Sequence, residues 1–234
     1  MELSKIESAS DLEEVILDTL KTLVSSEDLD DISSGLNLSL EDESSLYVIK
    51  DDQQICGFFL ATPLTADGEN KKIDLVSIDE IWVKAKYAND KTADVISKGL
   101  KNIKKAMKSP EIEIIVTQTV AWLGDILSEN GYLCSEIKLE KILPTANNLG
   151  DVLELIQDCT PIDRIVQVLF EKDHELRAEI VEVLEEVQDL INEGWIPTIV
   201  VVTIEPDSLN INEIIEESNS LINWDDYNLI YRGE

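Results

Sequence analysis

Residues 73–83 read IDLVSIDEIWV, and a short way further on residues 92–107 read TADVISKGLKNIKKAM. The first stretch is rich in β-branched and aromatic residues and predicts a long strand that ends at Val83. The second stretch has apolar residues at helical spacing and predicts an amphipathic helix. The residues of its apolar stripe are Ile96, Leu100, Ile103 and Met107. A long strand followed closely by a helix is the unit from which we interpret the rest of the chain.

The flanking sequence predicts further strands and helices on both sides of this unit. Before it, residues 10–24 have helical spacing, and residues 45–63 form two extended runs about a polar turn, as in a hairpin. After it come a β-branched strand over 111–117, a short helix over 121–129 and a strand over 137–143. We therefore predict a mixed α/β (α+β) fold, with helices flanking a central sheet, over residues 1–143.

The composition changes after Pro144, and we predict a second region over residues 144–234. Thr160 and Pro161 are typical of a helix start and Gly194 of a helix end, so we predict one long helix between them. A strand over 199–204, a helix over 212–221 and a strand over 228–231 follow. This acidic extension is thus predicted as helix, strand, helix and strand.

The predicted long helix presents carboxylates on the face opposite its apolar line. Regularly spaced carboxylates and nearby aromatic rings can bind a basic partner, because aromatic side chains dominate interface energetics. On that basis we assign partner-binding roles to six residues in this region. They are Glu175, Glu179, Glu182, Glu186, Trp195 and Trp224.

The net charge limits the function classes. With 49 acidic and 19 basic residues the chain carries -30, which disfavours general binding to nucleic acids or anionic membranes. Lysines are nevertheless concentrated between Lys71 and Lys108, where the local charge is positive. On the predicted helix they form a cationic face made of Lys98, Lys101, Lys105 and Lys108. This face is either a site for a CoA phosphate, a nucleotide or an acidic partner, or a solvated surface that attracts the acidic C-terminal half of the same chain or of a dimer partner.

The sequence also allows predictions about the location of the protein and about metal binding. No apolar run is long enough to cross a membrane, and the first residues lack a secretory pattern, so we expect a cytoplasmic protein. One histidine and three scattered cysteines do not form the spacing of a metal site, so no metal is predicted.

In element order, residues 1–143 resemble the GNAT superfamily of N-acetyltransferases, with the best correspondence between Ile78 and Leu143. The resemblance implies that acetyl-CoA lies where the strands ending at Val83 and Thr117 separate. It also implies that the pyrophosphate binds at the start of the following helix, where backbone N–H groups and the helix dipole favour anions. Glu80 would be the general base, and Val83, Lys91, Ala93 and Lys98 would contact the cofactor.

The sequence departs from this family at three functional positions. Ala88 stands where the family has Arg or Gln, and Lys91 stands where it has the first glycine of the phosphate loop. Asp90 and Asp94 place negative charge near the expected phosphate site. Leu127 replaces the tyrosine that is usually the general acid. The resemblance is therefore to a degenerate member.

Three functional hypotheses remain open. The leading one is a non-catalytic GNAT-like protein without a cofactor, which binds a basic protein or a second copy of itself as a homodimer. The alternative is an active N-acetyltransferase that uses acetyl-CoA through an atypical phosphate loop. The third is an acidic mimic of nucleic acid, which would occupy a basic partner without binding nucleic acid itself.

Overall fold

The computed structural model describes residues 1–6, 15, 17–24, 44–52, 54–65, 73–143, 150, 153–155, 165–181, 184–206 and 211–233. Within these ranges the strands are β1 (Glu2–Lys5), β2 (Ser45–Asp51), β3 (Gln54–Leu64), β4 (Leu75–Val83), β5 (Glu111–Thr117), β6 (Leu133–Ile142), β7 (Ile165–Lys172), β8 (Glu175–Ile180), β9 (Ile196–Ile204) and β10 (Asp226–Gly233). The helices are α1 (Asp90–Met107), α2 (Gly124–Glu129), α3 (Leu184–Asn192) and α4 (Ile211–Leu221). Helices thus flank mostly antiparallel strands, which confirms the predicted mixed α/β class.

The chain divides into two compact units. The first comprises Met1–Cys134 together with Ile230–Glu234, and the second comprises Ser135–Leu229. The boundary that we placed after residue 143 stays a prediction.

In the first unit, five strands follow the order β1-β2-β3-β4-β5. Neighbouring strands are antiparallel except for β4 and β5, which are parallel. The predicted hairpin is present as β2 and β3. The strands carry fully buried side chains such as Phe58, Phe59, Ile78 and Ile114.

Helix α1 has the amphipathic character that its sequence predicts. Asn89 caps its N-terminus, where the side-chain oxygen accepts a hydrogen bond from the backbone N–H of Thr92 at 3.2 Å. Ile96, Leu100 and Ile103 are buried. Lys98, Lys101, Lys105 and Lys108 are exposed. The helix therefore packs its apolar stripe inward and presents a cationic face to solvent.

The second unit contains four strands in the order β6-β9-β7-β8, and all three pairings are antiparallel. Alternate residues on the central strands point into the core, because successive side chains of a strand lie on opposite faces. The buried set is Val166, Val168, Phe170, Val200 and Val202.

The predicted long helix between Thr160 and Gly194 is wrong over residues 165–181. This part of the chain forms the hairpin of β7 and β8, and only Leu184–Asn192 is helical. Asp173 and His174 make the two-residue turn, with φ of 51° and 70°. The helical end at Gly194 is confirmed, with φ of 93°. Alternating burial on β7 shows that packing against β9 selects the strand over the helix.

Several predictions fall partly or wholly outside the described residues. Of the helix predicted over 10–24, residues 17–20 are helical, and residues 10–14 and 16 are not described. Thr160, Pro161 and Glu182 are also outside the described ranges. Across those ranges, no helix combines the length and the apolar character that a membrane crossing requires.

Candidate functional site

The parallel pair β4 and β5 is joined over only part of its length. The pairing runs from Leu75–Glu111 to Ile78–Ile114. Beyond these pairs β4 continues to Val83 and β5 to Thr117, and neither segment pairs with the other. We call this the β4–β5 opening. Because it lies at the carboxyl ends of parallel strands, it is at the edge where α/β sheets commonly bind ligands.

Strand β4 also has a bulge at the start of this opening. Phe58 of β3 pairs with Trp82, whereas Leu60 pairs with Asp79, so β4 contains one extra residue. Glu80 lies in this bulge and has the left-handed φ of 48°. A non-glycine residue in that region costs about 1–3 kcal/mol and is often found at functional sites.

Glu80, our predicted general base, is exposed in the structure. Its Oε2 accepts a hydrogen bond from Nε1 of Trp82 at 2.9 Å. The indole N–H therefore helps to orient this carboxylate. The predicted catalytic role of Glu80 stays a prediction.

The neighbouring Asp79 has a perturbed carboxyl group. Its Oδ1 is buried and has no hydrogen-bond partner. Burial, and after it the negative charge of Glu80, raises the pKa of Asp79 to about 6. A carboxyl with that pKa can accept or release a proton near neutral pH. Sequence reasoning missed Asp79, although it adjoins Glu80 directly after the last residue paired with β5.

The residues between β4 and α1 bring the chain to a helix N-terminus. Val83 pairs with Gly57 and is buried, and residues 85–87 form a short 3-10 turn before Asn89 caps α1. The first backbone N–H groups of a helix carry partial positive charge and favour anions. The family resemblance implies a phosphate site at this end of α1, and that role stays a prediction.

The predicted cofactor residues at this helix end occupy different environments. The Ala93 side chain is buried. Lys91 and Lys98 are exposed, and their ammonium groups pair with Asp51 at 3.3 Å and with Asp94. The Lys98 pair offsets the Asp94 charge that the sequence placed near the phosphate site. The cofactor roles of these residues and of Val83 stay predictions.

A cavity of about 630 Å³ lies beside Lys84, immediately after β4. Nζ of Lys84 binds Oδ2 of Asp18 at 2.6 Å at this site. The lining residues are Leu17, Asp18, Lys21, Gln54, Ile55, Lys84 and Lys86. The cavity wall thus combines three lysines and one carboxylate with the apolar side chains of Leu17 and Ile55.

The predicted general-acid position contains no acid. Leu127 on α2 is buried, and it offers only an alkyl side chain. The hydroxyl of Tyr231 lies close to the start of the same helix, since a Cβ on Gly124 would be 2.5 Å from it. Tyr231 is only 1% exposed, so its hydroxyl is part of the core.

The predicted partner-binding residues do not form one surface on a helix. Glu175 and Glu179 lie on β8, and Glu186 lies on α3. The expectation of carboxylates aligned along a single helix is therefore wrong, because residues 165–181 form a hairpin. Binding of a partner by these residues stays a prediction.

The two predicted tryptophans differ in their surroundings. Trp195 is half-buried, and the cationic groups of Lys172 and Arg177 lie 5.7 Å and 5.8 Å from its ring centre. Trp224 is buried, and its indole N–H has no hydrogen-bond partner. Trp195 is thus the more accessible of the two for contact with another molecule.

Comparison of the sequence with known protein families and with curated proteins finds no match. Comparison of the structure does find similar folds. A protein from Thermoplasma acidophilum, provisionally described as an acetyltransferase, is 10% identical, with a TM-score of 0.55 over 100% of both chains. The present chain accordingly has the fold of the GNAT acetyltransferases, as the sequence resemblance predicted.

Two more distant structures are complexes with a cofactor. A GNAT family acetyltransferase from Elizabethkingia anophelis has acetyl-CoA bound; it is 12% identical, with a TM-score of 0.40 over 87% of this chain and 97% of its own. An acetyltransferase from Bacillus subtilis is in complex with CoA, at 12% identity and a TM-score of 0.40 over 88% and 98% of the two chains. These complexes contradict our prediction of no cofactor.

Proposed function

We propose that this protein binds an acyl-coenzyme A and transfers the acyl group to an amine. The observation that carries the proposal is the β4–β5 opening, with its bulge at Glu80 and a capped helix N-terminus following closely in the chain. Along the opening, backbone groups of β4 beyond Ile78 have no β5 partner, so they can bind the amide groups of an extended ligand.

The residues at the opening fit the two ends of such a ligand. The start of α1 supplies backbone N–H groups for the pyrophosphate, and Lys91 adds positive charge on its first turn, whereas Lys98 further along offsets the charge of Asp94. The phosphate site is atypical because lysine replaces the first loop glycine. When bound, the thioester supplies an activated acyl group.

Asp79 is the residue that we assign to proton transfer. An amine attacks a thioester only in its neutral form, so a group that accepts its proton increases the rate. With a pKa raised to about 6, Asp79 is deprotonated at neutral pH and remains a usable base. The sulfur leaves as a thiolate, which a proton from solvent can neutralise, since Leu127 provides no acid.

The experiment is acetyl-CoA titration by calorimetry, combined with a thiol-release assay over a panel of amines. We expect micromolar binding and amine-dependent release of free CoA. Asp79→Asn should reduce kcat by about 10²- to 10⁴-fold while retaining acetyl-CoA binding. Glu80→Gln is the matched control on the adjacent carboxylate and should retain most of the activity.

Two results would change the proposal in different ways. Binding without transfer to any amine would favour the non-catalytic hypothesis, in which the chain acts through a protein partner. No binding of acetyl-CoA or CoA would overturn the proposal itself. A cytoplasmic location stays a prediction.

The nucleic-acid mimic has lost its structural basis. It required carboxylates at helical spacing from Glu175 onwards, and that segment begins as a strand. We therefore do not pursue it as a second function.

A further inference from the structure

Strand β8 is the last strand in the order of the second unit. It pairs with β7 on one side, and within the described residues no strand pairs with its other side. An unpaired edge presents a row of free backbone donors and acceptors that can extend the sheet with another chain.

The register identifies which residues of β8 present these groups. The N–H of Val181 donates to the carbonyl of Val166 at 2.8 Å, which marks a hydrogen-bonded position of the hairpin. In an antiparallel pair such positions recur at every second residue. Glu179, Arg177 and Glu175 therefore bond towards β7, and the backbone groups of the residues between them point outward. These outward-facing residues are Leu176, Ala178 and Ile180.

The side chains of β8 are exposed on both faces. Leu176 is 76% and Ile180 is 58% exposed, and they lie on the same face on either side of Ala178. On the opposite face, Nε of Arg177 forms an ion pair with Glu179. One face of the edge is thus apolar, and the other carries Arg177 between two carboxylates, Glu175 and Glu179.

We propose that β8 pairs antiparallel with β8 of a second copy of this chain, about a two-fold axis at Ala178. In this register each Leu176 is opposite the Ile180 of the partner, and each Arg177 is opposite the partner's Glu179. The small Ala178 meets its own copy on the axis. The strand is therefore complementary to itself over Leu176–Ile180, and Glu175 at its start falls opposite Val181.

The backbone supports the same register. Ala178–Ala178 and the two Leu176–Ile180 pairs are hydrogen-bonded positions, and they use the residues whose N–H and C=O groups face outward. A ladder of this length forms about six backbone hydrogen bonds across the axis. The two Arg177–Glu179 pairs fall at the intervening positions, where opposite side chains are closest.

Neighbouring registers are less favourable. An axis at Arg177 would place two guanidinium groups opposite each other, and an axis at Glu179 would do the same with two carboxylates. Like charges directly opposite each other destabilise a sheet. Of these three registers, the alternation of charge and apolar residues favours the one with its axis at Ala178, which matches the self-complementary interface that a two-fold dimer requires.

The first test is sedimentation equilibrium of the full chain over a range of concentrations at about 0.15 M salt, where the Debye length is about 8 Å. We expect a monomer–dimer equilibrium. Ala178→Pro removes an outward N–H that β7 does not use, so the hairpin should persist while the dimer dissociation constant increases by about 100-fold or more. Circular dichroism checks that this variant remains folded.

A charge exchange tests the register without relying on proline. Arg177→Glu and Glu179→Arg should each weaken self-association about tenfold, since each opposes like charges twice. A mixture of the two single variants should form heterodimers, and the double variant R177E/E179R should recover the affinity of the original chain. A chain that is monomeric at all concentrations, or a dimer that is insensitive to all of these changes, would overturn the proposal.

Discussion

Asp79 and Glu80 are consecutive residues of β4, yet the bulge gives their carboxyl groups different environments. Glu80 is exposed and bonded to Trp82, whereas Oδ1 of Asp79 is buried without a partner. Burial and the charge of Glu80 together raise the pKa of Asp79 to about 6. The proton on Asp79 is therefore linked both to stability and to the proposed reaction.

Asp79→Asn should stabilise the protein at pH 8 more than at pH 5. An aspartate in an unfolded chain has a pKa of about 3.9, so the folded state binds this proton more tightly. The free energy of unfolding therefore falls as the pH rises from about 4 to 6 and changes little above that. Because solvent screens part of this effect, we expect the free energy of unfolding to increase by about 1–2 kcal/mol at pH 8. Urea denaturation at both pH values measures it, and an equal gain at pH 5 and pH 8 would contradict the assignment.

Glu80→Gln should shift the pH dependence of acyl transfer. In the original chain the rate should rise with pH through a midpoint near 6, as Asp79 loses its proton. Removal of the neighbouring negative charge lowers the pKa of Asp79, so the midpoint should move to lower pH with kcat largely retained. Rates measured from pH 5 to 8 provide the test. An unchanged midpoint would show that Glu80 does not act on the titrating group.

Gly124→Ala should destabilise the first unit through its contact with Tyr231. The added Cβ would lie 2.5 Å from the tyrosine hydroxyl and 3.4 Å from the ring carbon that carries it. Such overpacking costs about 1–3 kcal/mol. In a Tyr231→Phe background the same change should cost less, because the hydroxyl is gone. Thermal or urea unfolding of all four proteins gives the coupling energy, and a value near zero would contradict this packing.

Replacement of the β7–β8 turn by Asn-Gly should stabilise the second unit. Asp173 and His174 both have positive φ, which glycine adopts without strain and asparagine tolerates well. Asp173→Asn combined with His174→Gly should add about 1 kcal/mol to the free energy of unfolding. If residues 165–181 were a continuous helix, the glycine would instead cost about 1 kcal/mol. The sign of the change in the free energy of unfolding therefore distinguishes the hairpin from the helix. His174→Ala is the control and should give no gain.

Much of the first unit could be predicted because its patterns are local. Residues 111–117 alternate between buried and half-buried positions, and the lysine-rich helix has one continuous apolar stripe, so each segment is compatible with a single period. The error in the second unit arose from a segment that fits two periods. Val166, Val168 and Phe170 alternate as in a strand, whereas Ile165, Val168 and Leu169 recur as in a helix. Pairing with β9, which is distant in sequence, decides between them.

The position of the candidate site could be predicted from the sequence, but only some of its residues could be. The end of β4 was identified from its apolar run and the following helix. Asp79 could not be distinguished from the other acidic residues, because the burial of Oδ1 and its missing partner arise only from packing. Likewise the bulge at Glu80 could not be predicted from the sequence, since neither Asp79 nor Glu80 is a glycine.

The division of the chain into units has a consequence for biosynthesis. The first unit includes residues 230–233, among them the buried Tyr231 and Arg232, whose Nη2 donates to Oε2 of Glu113 at 2.9 Å. The ribosome synthesises all of the second unit before it synthesises these residues. The first unit therefore begins to be made first but is completed last, and until then Gly124 and Glu113 lack their contacts with Tyr231 and Arg232.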